Sequence, residues 1–213
     1  MVNATGHAGR WATGRSQGVK TMRVRTATGE ISVKAAWLAI AAIVAYQVLL
    51  VVLIFLRPEL DPSWHTISEW AIGRYGWLMS AGFLLSALSY AALVFLLAPH
   101  LRGFSGRTGL FLLLLCAVGA TGVGICTTDP MPMHPPLSTR GTLHVIFGTA
   151  QLVLLPWAAL LINLNLARKN AAWAPARRAL LGSAGLPLLG FLGFAIYSAL
   201  FVFPSDGTPM VLE

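Results

Sequence analysis

Long apolar runs alternate with short polar gaps along this chain. Crossing a hydrocarbon core about 30 Å thick takes about 20 residues of helix. Five runs meet that length: Val33–Leu56, Trp77–Leu97, Gly109–Thr127, Leu143–Leu164 and Leu180–Phe203. Apart from Lys34 at the edge of the first, none holds Asp, Glu, Lys or Arg. Backbone groups in lipid must be hydrogen-bonded within the segment, so the runs predict helices. A barrel would need alternating strands of about 10 residues, and no such alternation is present. The expected fold class is all-α, a polytopic transmembrane helical bundle of five spans.

The gaps set the orientation. Most Lys and Arg fall in residues 1–34 and in the second and fourth gaps, which hold Arg102, Arg107, Arg168, Lys169, Arg177 and Arg178. Arg57, Arg74 and Arg140 instead share their gaps with Glu59, Asp61, Glu69 and Asp129. The positive-inside rule therefore predicts a cytoplasmic N-terminus in a bacterial inner membrane, with the first and third gaps outside. Residues 1–32 read as a basic, disordered cytoplasmic tail without a signal-peptide cleavage pattern, and 33–213 as the transmembrane domain.

Helix packing in lipid relies on small residues that allow close approach. Cys116, Ala120, Gly124 and Thr128 recur every four residues in the third span, which predicts a central helix. Leu113 of that span is expected to face lipid. Gly82 and Ser86 mark a similar face on the second span, and Gly182, Gly185, Gly190 and Gly193 on the fifth. Such faces also suit a homo-oligomer. Pro156 and Pro187 predict kinks in spans four and five. Cys116 and Cys126, ten residues apart on a helix, lie about 15 Å from one another. A disulfide needs about 7 Å, so the thiols are read as free packing residues.

Two outer gaps carry the candidate chemistry. In "RPELDPSWHTISEWAIGRYG", Asp61 before Pro62 predicts the cap of a short amphipathic helix, with Trp64, Ile67, Trp70 and Ala71 along one side and Gly73 ending it. His65 and Glu69 lie four apart on another side. In "CTTDPMPMHPPLSTRGTLH", four prolines stiffen the connector, Ser138 or Thr139 caps the next span, and His144 shares a face with Gly148 and Gln151. Asp129, His144, His65 and Glu69 are the catalytic candidates, since carboxylate and imidazole do acid–base chemistry. Asp129, His134 and His144 are the metal candidates, with zinc the metal they would take. No other cofactor is expected. Asp129 and His144 are expected to pair, with His65 or Glu69 beside them, because unpaired polar groups next to hydrocarbon are costly.

Composition agrees with the pattern. The chain is 56% hydrophobic and 10% charged, against roughly 25% charged in a soluble domain. The net charge of +8 is spread through the gaps and not gathered on one face, so lipid and not nucleic acid is the expected partner. No nucleotide loop, nucleophile elbow, redox pair or haem motif is present. The reading is an uncharacterised multi-pass membrane protein with a structural or binding role. One alternative is an intramembrane hydrolase or lipid-modifying enzyme with an outer-leaflet Asp/His site. Another is a small transporter hinged at Pro156 and Pro187, with a pathway around Gln151, Ser183 and Ser198.

Three segments, "HTISEWAIGRYGWLMSAGFLLSAL", "CTTDP" and "STRGTLHVIFGTAQL", resemble the prokaryotic membrane family known as domain of unknown function 998. The resemblance runs from about Val33 to the end. It singles out Ser68, Gly73, Gly76, Asp129, Gly141 and His144, and implies a six-helix architecture with no established activity. The chain reaches "PSDGTPMVLE" after five spans, so a bundle without the sixth family helix is expected.

Overall fold

The computed structural model describes residues 14–63, 65–130, 136–169 and 171–197. Five helices are long and apolar enough to cross a membrane. They belong to α1 (Gly14–Leu56), α2 (Gly76–Leu97), α3 (Gly103–Ile125), α4 (Thr139–Lys169) and α5 (Arg177–Tyr197). α1 begins inside the tail expected to be disordered, and its apolar part is the predicted Val33–Leu56. Each helix packs on the next in sequence, giving the contacts α1–α2, α2–α3, α3–α4 and α4–α5.

Small residues set these contacts. Cys116 and Ala120 are fully buried, and Gly124 and Thr128 are buried with them, as the four-residue spacing predicts. A Cβ at Gly124 would stand 3.0 Å from Leu84 and 3.1 Å from the Ser80 carbonyl, so α2 and α3 are nearly in backbone contact. On the other side of α3, a Cβ at Gly122 would fall 2.3 Å from the Phe147 ring of α4, and one at Gly119 would stand 3.0 Å from the Phe147 carbonyl. α3 is thus the central helix. Gly82 of α2 receives the Tyr46 ring of α1, and Ser89 donates to the Ala39 carbonyl at 2.9 Å across the same seam.

Two expectations fail here. Leu113 does not face lipid. It is buried with Leu101, Ala158, Ile162 and Leu166, because α4 and the 98–102 connection close over that side of α3. The four glycines of α5 do not form a seam: a Cβ on any of them would meet nothing within 4 Å among the described residues. α5 meets α4 through other positions, such as Asn163, which donates to Ser183 at 3.3 Å.

The two ends of the bundle are built differently. At one end, buried Asn165 of α4 reaches the start of α3. Its amide donates to the Arg102 carbonyl and the Ser105 hydroxyl, both at 2.9 Å, and its carbonyl accepts the Arg102 N–H at 3.3 Å. Gly106 leaves room for it. At the other end lie the short 310 helix Ile67–Ala71 and the connection from α3 to α4. Trp70, buried with Leu53, Met79, Phe83 and Val123, anchors the 67–71 helix to α1, α2 and α3.

Candidate functional site

The 67–71 helix does not start at Asp61. The Asp61 carboxylate accepts the N–H and the hydroxyl of Ser63 at 2.8 and 2.6 Å, closing a turn on itself. Those bonds hold its carboxyl below the usual carboxylate range. Local side-chain bonds of this kind compete with helix, and here they win. The helix begins after Thr66, where the Glu69 carboxylate turns back to accept the Thr66 N–H at 2.7 Å and the Thr66 hydroxyl at 3.0 Å. This is the returning half of a capping box. His65 Nδ1 meets the second Glu69 oxygen at 2.9 Å, so the buried carboxylate is held by three groups of its own segment.

Arg57, one residue past α1, fastens the far end of this helix. Its guanidinium donates to the Ile72 carbonyl at 2.6 Å and pairs with Glu59, which holds the Glu59 carboxyl below its ordinary range. The chain then turns through Gly73 at φ 85°, a left-handed conformation that disfavours any side chain. At Gly76 a Cβ would sit 2.1 Å from the Ala71 carbonyl oxygen, so α2 starts directly beneath the 67–71 helix.

Asp129 and Ser138 close the connector between α3 and α4. The Asp129 carboxylate accepts the Ser138 N–H at 2.8 Å and its hydroxyl at 2.5 Å. The Ser138 oxygen in turn accepts the Gly141 N–H at 2.9 Å, which makes Ser138 the N-cap of α4. The carboxylate lies so close over the first turn that a Cβ at Gly141 would be 2.2 Å from it. A negative group there also complements the helix dipole.

His144 stands one turn further along α4, with 5% of its surface exposed. Its Nδ1 lies 2.6 Å from the carbonyl oxygen of Cys126, the residue that ends α3. A carbonyl only accepts, so Nδ1 carries a proton. In the neutral ring Nε2 then presents a lone pair, and Ser68 Oγ is 2.9 Å from it. The Phe83 ring and the imidazole form a T-shaped pair at a centroid distance of 6.3 Å. Ser68, on the 67–71 helix, is half-buried.

The expected pairing of Asp129 with His144 is therefore not formed. Both carboxylate oxygens are taken by Ser138, and both ring nitrogens by Cys126 and Ser68. His65 and Glu69 pair with each other at 2.9 Å, and it is Ser68 of the same segment that reaches His144. Of the metal candidates, Asp129 and His144 spend their ligand atoms on protein partners, and His134 lies outside the described residues. Among the described residues no three His, Cys, Asp or Glu side chains converge. Sequence reasoning missed the Ser68–His144 contact and the Cys126 carbonyl, whose partners are 76 and 18 residues apart. It also missed the Thr66-x-x-Glu69 pattern, a capping signal legible in the sequence.

These features define a multi-pass helical membrane protein with a polar cluster at one end of the bundle. The chain belongs to the family described as "Protein of unknown function (DUF998)", whose family model matches residues 39–211. No curated protein and no solved structure matches it.

Proposed function

We propose that this protein is a serine-dependent acyl hydrolase working at a membrane surface. One observation carries the reading: Ser68 Oγ, His144 and the Cys126 carbonyl stand in line at 2.9 and 2.6 Å. This is the geometry of a nucleophile, a base and a group that fixes the base's tautomer. The six positions singled out by the family resemblance sharpen it. Gly73, Gly76, Asp129 and Gly141 each have a backbone or steric reason to be what they are. His144 also holds the Cys126 carbonyl at the end of α3, but Ser68 has no reason of that kind, since an apolar residue of similar volume would also join the 67–71 helix to α4 without the cost of burying a polar group.

The reaction would run as follows. Ser68 Oγ attacks an ester carbonyl carbon and its proton passes to His144 Nε2. The tetrahedral intermediate breaks its bond to the leaving oxygen, which takes that proton and departs as an alcohol. Water then attacks the acyl-serine, gives a proton to Nε2, and Ser68 leaves reprotonated as the acid is released. The Cys126 carbonyl keeps the ring in one orientation throughout. Asp129 and Glu69 are positioning residues: one fixes the start of α4, the other the 67–71 helix.

A fluorophosphonate probe tests this on the whole chain in lipid nanodiscs. Labelling should map to Ser68 by peptide mass spectrometry and vanish in Ser68→Ala. Labelling elsewhere, or none in a protein whose thermal transition is intact, sinks the reading and leaves the trio as a clasp.

The site's side of the membrane belongs to the same proposal. Arg102, Arg107, Arg168, Lys169, Arg177 and Arg178 flank the end opposite the 67–71 helix. That bias supports a bacterial inner-membrane protein with a cytoplasmic N-terminus and an outward-facing site. In a Cys126→Ala background, a membrane-impermeant maleimide applied to intact cells should label Arg74→Cys and not Arg107→Cys. The reverse pattern would invert the topology.

A further inference from the structure

We infer that the groove between α2 and α3 seats one acyl chain of a lipid ester and delivers its carbonyl to Ser68. This deepens the hydrolase reading and rests on it. The groove holds about 570 Å³. Leu84 to Ala91 of α2 and Ala117 to Cys126 of α3 form its walls, and Phe147 of α4 lines it.

Three observations select the occupant. First, the lining offers almost nothing polar. The Thr121 hydroxyl is spent on the Ala117 carbonyl at 2.8 Å, which leaves only the Cys126 thiol. Second, the groove opens sideways into the apolar surface of the bundle. Leu84, Leu88, Val118 and Ile125 are all at least 42% exposed, so a chain enters from lipid without crossing water. Third, its length fits one leaflet. Ala117 to Cys126 is nine residues of rise, about 13.5 Å, against about 15 Å for half of a 30 Å hydrocarbon core.

The end of the groove then matters. Cys126 is the last lining residue, and its carbonyl is the one that holds His144. An acyl chain lying along α3 has its apolar length in the groove and its ester at the level of the Ser68–His144 pair. The gain is positional: lipid already solvates the chain, and the groove adds alignment.

Two measurements test this, and they fail separately. In nanodiscs containing phosphatidylcholine with a diazirine-bearing acyl chain, crosslinks should favour the α2–α3 groove about tenfold over Ile40 and Ile54 of α1, and Ala91→Phe should remove the preference. Ile40 and Ile54 are as exposed as the groove's own leucines, at 52% and 42%. Even crosslinking over both surfaces overturns the groove, whatever Ser68 does.

The second measurement compares dodecyl with ethyl fluorophosphonate. In either case the Ser68 Oγ–P bond forms, the P–F bond breaks, fluoride leaves and the proton passes to His144 Nε2. The dodecyl probe should label about tenfold faster, and Ala91→Phe should abolish that advantage without slowing the ethyl probe. Equal rates for both probes overturn the groove while leaving Ser68 as nucleophile. Crosslinking in the groove with no labelling by either probe overturns the hydrolase and leaves the groove a lipid seat, which refutes delivery to Ser68.

Discussion

Ser68→Ala should abolish ester turnover, by about 10³-fold or more, while costing only about 1 kcal/mol of stability. The hydroxyl makes one hydrogen bond, to His144, and sits half-exposed on a five-residue helix held independently by Trp70, Glu69 and Arg57. His144→Asn separates catalysis from architecture further. Its amide can still donate to the Cys126 carbonyl, but it has no basic nitrogen, so turnover should be lost and the thermal transition largely kept. His144→Phe leaves that carbonyl without its donor, a cost of about 1–3 kcal/mol, and should lose both. Hydrolysis of p-nitrophenyl butyrate by the purified protein, with thermal melts of each variant, reads the two quantities. Turnover unchanged in Ser68→Ala would end the proposal.

Gly141→Ala should cost about 3 kcal/mol or more. The added carbon lands 2.2 Å from the Asp129 carboxylate, which cannot retreat without releasing both bonds to Ser138 and uncapping α4. The effect is conditional on Asp129. Asp129→Ala alone loses charge-assisted bonds worth about 1.5–3 kcal/mol. In that background Gly141→Ala should add less than about 0.5 kcal/mol, because the atom it strikes is gone. A double-mutant cycle on thermal stability checks this, and strictly additive losses would show that the carboxylate does not bracket the helix.

The spans were legible because lipid imposes one rule along the whole chain: about 20 residues, no charge, helix. The seam on α3 was legible because a four-residue repeat of small side chains lies on one helical face. Asp129 and His144 could be picked out because each is a polar group at a helix end beside hydrocarbon. Their partners could not. Ser138 takes both Asp129 oxygens, nine residues on, and competes directly with any bond to His144. The start of the 67–71 helix was misplaced because an Asx turn at Asp61 and the return of Glu69 onto Thr66 both look like helix starts, and only the folded chain chose between them.

By itself, then, the sequence determined an all-helical, five-span membrane protein, its small-residue core and the polar character of one end. Those properties follow from solvent and period, which are local. The tertiary structure decided that none of the other described residues packs on the glycines of α5, that Leu113 is core, and that His144 answers to Ser68 and the Cys126 carbonyl and not to Asp129. Those outcomes depend on which helix ends arrive side by side, and a hydrogen bond spanning 76 residues leaves no periodic trace in the chain that makes it.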